Sequence, residues 1–225
     1  MRRLGIAVAG MLALSGNASM GRSETSGLTW DVAFPTDQAP DRVYFKARYL
    51  DDHGNAHALE VWREGRRRLR RVTDGRLAVV VEERGGGGDY EFRMADRQRG
   101  VIIKADRTSL YRIGRFVDWR GLAHVIDVPK GGFTLRKLLG EEQAAPQHAC
   151  DWFELTVGDE RSNRHVCWSR GWGIPLEIRA ARPNGIATRF EVLDVRTLDK
   201  ADAAFELGAD GLMEMDITEG GEVSD

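Results

Sequence analysis

The sequence is short of the features that usually announce a chemistry. Cysteine is scarce: two in 225 residues, Cys150 and Cys167. Neither lies just after the apolar stretch at the N-terminus, so a lipid-modified start is not expected. Beyond that stretch no apolar run is long enough for a spanning helix, which needs roughly 20 residues. Neither sign of charge prevails, with 33 basic against 35 acidic side chains and a formal net charge of −2. A mildly acidic chain is not built around nucleic acid. Catalytic templates are missing too. There is no Gly-x-Ser-x-Gly elbow and no His-Glu-x-x-His. Gly85-Gly86-Gly87-Gly88 lacks the Gly-Lys-Ser/Thr ending of a phosphate loop. The acid pairs Asp51-Asp52, Glu82-Glu83 and Glu141-Glu142 are adjacent, and neighbouring strand residues point to opposite faces. The expectation is a protein that is not an enzyme and has no cofactor.

What is present begins at the N-terminus. Arg2 and Arg3, an apolar run over 4–14 and the small residues Gly16-Asn17-Ala18 follow the order of a secretory signal peptide. Residues 1–18 are therefore expected to be a leader. The rest would work in the periplasm, as a protein that is not an integral membrane protein. What remains is long enough for one domain with a real core.

Along the chain the dominant period is two. Segments 43–49, 58–63, 68–72, 77–81, 90–94 and 101–105 have strand character. They are punctuated by His53-Gly54-Asn55, Glu64-Gly65, Thr73-Asp74-Gly75-Arg76 and the glycine run. The middle changes to helical spacing: Phe116, Trp119, Leu122, Ala123 and Ile126 over 116–126, then Leu135, Leu138 and Leu139 over 135–143. Strands return at 151–157, 164–169, 176–181 and 188–197. A short helix or turn follows at 199–205 and a last strand at 212–218. The expected organisation is an irregular N-terminal segment (19–42), one β domain (43–218) and a disordered acidic tail (219–225).

The two cysteines fall on the two strands of one expected hairpin. With Cys150 facing Cys167, Thr156 would face Arg161. An even pair in an oxidising compartment reads as a disulfide. His148-Ala-Cys150 and His165-Val-Cys167 also repeat a His-x-Cys spacing, and i and i+2 share a strand face. His148, Cys150, His165 and Cys167 are thus an alternative zinc or copper set. The one basic cluster is Arg63, Arg66, Arg67, Arg68, Arg70, Arg71 and Arg76. It reads either as a patch for anionic head groups or acidic partners, or as a solvated strand protected from edge pairing.

One stretch is familiar. Cys167-Trp168-Ser169-Arg170-Gly171-Trp172-Gly173-Ile174-Pro175-Leu176-Glu177-Ile178 leads to Phe190-Glu191-Val192-Leu193-Asp194-Val195 and to Asp202-Ala203-Ala204-Phe205. This resembles the C-terminal half of the LolA-like superfamily of periplasmic lipoprotein carriers, lipid-carrying relatives and sensor domains. The resemblance implies a mainly β fold: a strongly curved antiparallel sheet, a half-open β-barrel, with two or three short helices as a lid over 116–126 and 135–143. It implies an exported carrier that binds lipid or lipoprotein acyl chains in an apolar cavity without catalysis, with an envelope membrane protein as a further partner. The large apolar residues Tyr44, Trp62, Phe92, Trp119, Phe133 and Leu138 are the candidates to line that cavity. A protein-binding or sensor module on the same scaffold, and a metal-binding accessory protein, are the alternatives.

Overall fold

Every turn signal between residues 50 and 101 reverses the chain, so the first half is built from local hairpins. The computed structural model describes residues 27–85, 89–112, 119–129, 132–139, 149–158, 163–182, 185–199, 202–208 and 210–218. The expected leader and acidic tail lie outside them. The first six strands are β1 (Arg42–Leu50), β2 (Ala56–Glu64), β3 (Arg68–Thr73), β4 (Leu77–Arg84), β5 (Asp89–Asp96) and β6 (Val101–Asp106), each antiparallel to the next. The β3–β4 turn shows why its sequence matters. Asp74 and Gly75 take φ of 52° and 67°, a left-handed pair that Asp-Gly tolerates and most residues do not.

A second meander follows: β7 (Phe133–Lys137), β8 (Asp151–Val157), β9 (Asn163–Ser169), β10 (Ile174–Arg182) and β11 (Gly185–Thr197). A four-residue strand, β12 (Met213–Asp216), ends the described chain. All twelve strands form one unclosed sheet in the order β12-β6-β5-β4-β3-β2-β1-β11-β10-β9-β8-β7. The two meanders meet at one antiparallel seam, β1 on β11, with a register shift between Lys46 and Ala47. β12 pairs with β6 in parallel.

Among the described residues three short α-helices accompany the sheet, α1 (Trp30–Ala33), α2 (Arg107–Arg112) and α3 (Trp119–His124), with one 3-10 turn over Asp202–Phe205. α3 falls within the expected helix 116–126. The helix expected over 135–143 is overturned at its start. Residues 133–137 form β7, where Phe133 and Leu135 face Val157 and Leu155. Alternation across Phe133, Leu135 and Lys137 competes with the helical spacing of Leu135, Leu138 and Leu139, and pairing with β8 decides for the strand. Residues 140–143 lie outside the described residues. A helical turn and strong burial also occur where 19–42 reads as irregular: Trp30, Ala33 and Phe34 are all buried.

Alternation sorts the side chains into three packed groups. On the concave face Val43, Phe45, Leu59, Val61, Leu69, Val81, Trp152, Cys167, Ile174 and Phe190 pack with Leu110 of α2 and Leu122 of α3. Behind β7–β9 the N-terminal segment packs Trp30, Ala33 and Phe34 on Leu135, Phe153, Leu155, Val166 and Trp168. Behind β3–β6 the chain after β11 returns across the sheet and packs Leu207 on Ala78, Val80, Ala95 and Ile102.

Candidate functional site

Two arginines of the basic cluster point inward. Val43 stands opposite Arg63, and Val61 stands opposite Arg71, so both guanidinium groups share the concave face with the apolar core. Arg63 is buried and satisfied. It donates to the carbonyls of Trp172 (3.0 Å), Ala123 (3.4 Å) and Gly173 (3.5 Å). The Nδ1–H of His124 donates to the same Gly173 carbonyl at 2.6 Å. Desolvation pulls the Arg63 pKa down to about 10, against the opposing pull of Asp41. Arg63 thus ties β2, α3 and the β9–β10 turn together. Gly173 itself has φ +61°, and a Cβ there would sit 2.8 Å from the Ala39 side chain, so only glycine fits where the N-terminal cover crosses.

Arg71 is different. Protein crowds it and burial pushes its pKa down, yet its side chain remains partly accessible. Its cross-strand partner Val79, and Met94 and Ile103 beyond it on the same face, are only partly buried, so this part of the concave face is partly open among the described residues.

The other arginines turn outward. On the convex face Arg196, Tyr44, Trp62 and Arg70 are successive cross-strand partners. Arg196 lies 4.7 Å from the Tyr44 ring centroid, the two rings are 5.1 Å apart, and Arg70 lies 4.6 Å from Trp62. Arg68 lies 4.4 Å from the Phe205 ring. Glu64 is buried beneath Arg42, Arg67 and Arg68. The Arg67 bond first, and then the other two, hold its pKa at about 2 against the desolvation that opposes them. The reading of this cluster as a solvated edge is therefore corrected: β3 lies inside the sheet, and the guanidinium groups of Arg68 and Arg70 lie over aromatic rings.

The six expected cavity residues do not converge. Phe92, Trp119 and Leu138 join the concave group. Tyr44 and Trp62 belong to the convex ladder, and Phe133 packs with the N-terminal cover. Parity along a strand shows this split, since Tyr44 and Phe45 cannot share a face. A cleft of about 770 Å³ lies beside Phe133, but Gly132, Thr134, Glu154, Thr156, Gly158 and Asn163 complete its lining. That lining suits a polar occupant.

Cys150 and Cys167 form a disulfide with Cα atoms 5.4 Å apart. The register differs by two from the expected one: Cys167 faces Trp152 and Thr156 faces Asn163. A two-residue slip keeps each side chain on its face, so the bridge closes along the diagonal instead. With both sulfurs joined, the His-x-Cys metal set has no thiolate to offer. His148 lies outside the described residues, and among the described residues no group of three or more His, Cys, Asp or Glu is placed to hold a metal. No helix among them is long and apolar enough to cross a membrane.

No protein-family model matches the chain, and no curated protein matches it. Among solved structures it is similar to the crystal structure of MucB, at 17% identity and a TM-score of 0.45, covering 81% of this chain and 62% of that one. It is also similar to MucB in complex with MucA(peri), at 15% identity and a TM-score of 0.40, covering 78% and 57%. A third is the MucA/MucB complex of Pseudomonas aeruginosa, at 18% identity and a TM-score of 0.41, covering 75% and 56%. The chain spans less than two thirds of the length of each.

Proposed function

We propose that this protein is a non-catalytic docking module of the bacterial periplasm that takes up an extended segment of a partner polypeptide by strand addition at β12. The carrying observation is that the two edges of the sheet are finished in opposite ways. At the β7 edge Arg136 and Lys137 pair with Glu154 (2.7 Å) and Asp151 (2.8 Å), and the Trp30 ring lies 5.5 Å from Phe133. Charge and a covering segment are the usual guards of an edge. β12 has neither lysine nor proline, its two charges, Glu214 and Asp216, alternate with the methionines and so leave the Met213–Met215 face without one, and all four of its residues are exposed. Met213, Met215 and Ile217 are 62%, 45% and 37% exposed, and among the described residues nothing pairs with the outer side of β12. An unguarded edge with an apolar row offers main-chain hydrogen bonds for affinity and side-chain contacts for specificity. The disulfide suits an oxidising compartment. The scatter of the six aromatic and aliphatic candidates over both faces weakens the reading as a lipoprotein carrier.

The test is a photo-crosslinking residue placed at Met215 and, as a control, at Arg136, in the protein expressed with its own leader in the periplasm. A discrete polypeptide adduct at 215 and none at 136 is expected, and Met215→Lys added to the unlabelled protein should not compete for it. Equal labelling at both edges, or stoichiometric lipoprotein in the purified protein, would overturn the reading.

A further inference from the structure

Among the described residues Arg71 is the one inward guanidinium of the basic cluster that the fold leaves unmet. It follows Leu69 by two residues on β3 and faces Val61 and Val79 directly, so the ladder holds it among apolar side chains. Arg63 has its carbonyls. Arg71 has neither a hydrogen bond nor an ion pair among the described residues, and Asp127 and the Tyr49 hydroxyl act on it only at longer range. A charge withdrawn from bulk water without a partner is unfavourable, and an anion that reaches it gains accordingly.

From Arg71 a row of direct cross-strand partners runs to the sheet edge: Val79 on β4, Met94 on β5, Ile103 on β6 and Met215 on β12. At about 4.8 Å per strand the row is roughly 19 Å long. Each of its apolar members is half-buried or exposed. The peptide groups beneath are already used in the ladders, so the row presents hydrocarbon and thioether along its length and one cation at its inner end. Methionines at two of its four apolar positions allow it to adapt to a flexible occupant.

We propose that this row binds a free long-chain fatty acid, its carboxylate bonded to Arg71 and its chain laid over Val79, Met94 and Ile103 toward Met215. The occupant's polarity must be confined to one end. A polypeptide in the same place would bring peptide N–H and C=O groups that these side chains cannot satisfy. An acyl chain esterified to glycerol or to a protein has no free carboxylate for the guanidinium. The site therefore selects against the esterified cargo of a lipoprotein carrier, and it meets the docking edge only at Met215.

Calorimetric titration of the delipidated mature protein with myristate, and with tetradecanol as the uncharged probe, tests this. Myristate should bind saturably. Arg71→Gln should weaken it about 10- to 100-fold, the range of a hydrogen bond to a charged group. Arg196→Gln on the convex face should leave it unchanged. Tetradecanol should bind wild type and Arg71→Gln alike, and Met94→Glu should abolish binding of both. Thermal melting of Arg71→Gln at or above the wild-type midpoint separates head-group recognition from unfolding. Unchanged myristate affinity in Arg71→Gln, equal affinity for acid and alcohol, or no myristate binding would each overturn the proposal. If myristate fails while the edge cross-link persists and depends on Arg71, the recess serves an acidic side chain of the partner, and docking at β12 stands without the fatty acid.

Discussion

The two halves of the convex face are covered by the two ends of the described chain, in different ways. Behind β7–β9 the cover is an aromatic jigsaw. Phe34 lies 5.2 Å from Trp168 and 5.4 Å from Phe153, Trp30 lies 4.7 Å from Phe34, and Trp168 Nε1 donates to the Pro35 carbonyl at 3.0 Å. Behind β3–β6 the cover is thin and aliphatic, and arginines strap it down. Arg70 donates to the Ala204 carbonyl at 3.1 Å and Arg97 to the Leu207 carbonyl at 3.1 Å. One half is packed on both faces and acts as the anchor. The other keeps a partly open concave face and the unguarded edge, and there both proposed binding surfaces lie. Separating stability from access in this way lets one sheet do both.

The largest effect should come from the jigsaw. Trp168→Ala removes a fully buried ring with partners on three elements and should cost about 3–5 kcal/mol in denaturant unfolding. A cost no greater than that of Leu207→Ala would erase the distinction between the halves. The Cys150→Ser/Cys167→Ser pair should lose about 3 kcal/mol, the scale for a closed loop near the observed separation of 17 residues, and the same value should follow reduction. Leu207→Ala, in the thinner cover, should cost about 2–3 kcal/mol. Proteolysis under native conditions should then cut after β11 before it cuts the N-terminal segment.

The smallest effect is pH-dependent and belongs to the open half. His57 stacks on Tyr49 at 5.1 Å, with Nδ1 2.7 Å from Asp74 and Nε2 3.5 Å from Asp51. It joins the tips of the β1–β2 and β3–β4 hairpins. The Asp74 bond, followed by the Asp51 bond, raises the His57 pKa despite desolvation. The Asn55 bond is the main cause that lowers Asp51 to about 2, and the His57 bond lowers Asp74. A raised histidine contributes fully below its ordinary value of about 6.5 and loses that contribution as pH rises through the folded value; the depressed carboxylates contribute above about 4 and lose it on acidification. The melting-point difference between wild type and His57→Gln should therefore peak between about pH 4 and 6.5 and vanish in alkali. A difference that stays the same from acid through to alkali would show that the clamp is not charged.

Most strands were legible because period-two alternation is written in the residues themselves, as at 43–49 and 151–157. Where two periods overlapped, as at Leu135, only the β8 partner could decide. The N-terminal cover was not legible, since Trp30, Ala33 and Phe34 are buried by contact with distant strands and show no period of their own. Arg71 was half legible. Composition placed it in a solvated cluster, but its parity with Leu69, like that of Arg63 with Val61, marks it as inward. The convex placement of Tyr44 and Trp62 could have been found the same way, from the apolar residues that flank them.

The seam between β1 and β11 has a kinetic consequence. Within each meander every ladder joins neighbours in sequence, so hairpins can form early and independently. Pairing Val43 with Thr197 and Tyr49 with Phe190 must wait until most of the chain is present, and so must β12 on β6. Closure of such distant contacts is slow relative to hairpin formation. A folding chain would hold two finished half-sheets with bare facing edges before it held one molecule, and in that interval it is most exposed to capture by a chaperone or by another copy of itself.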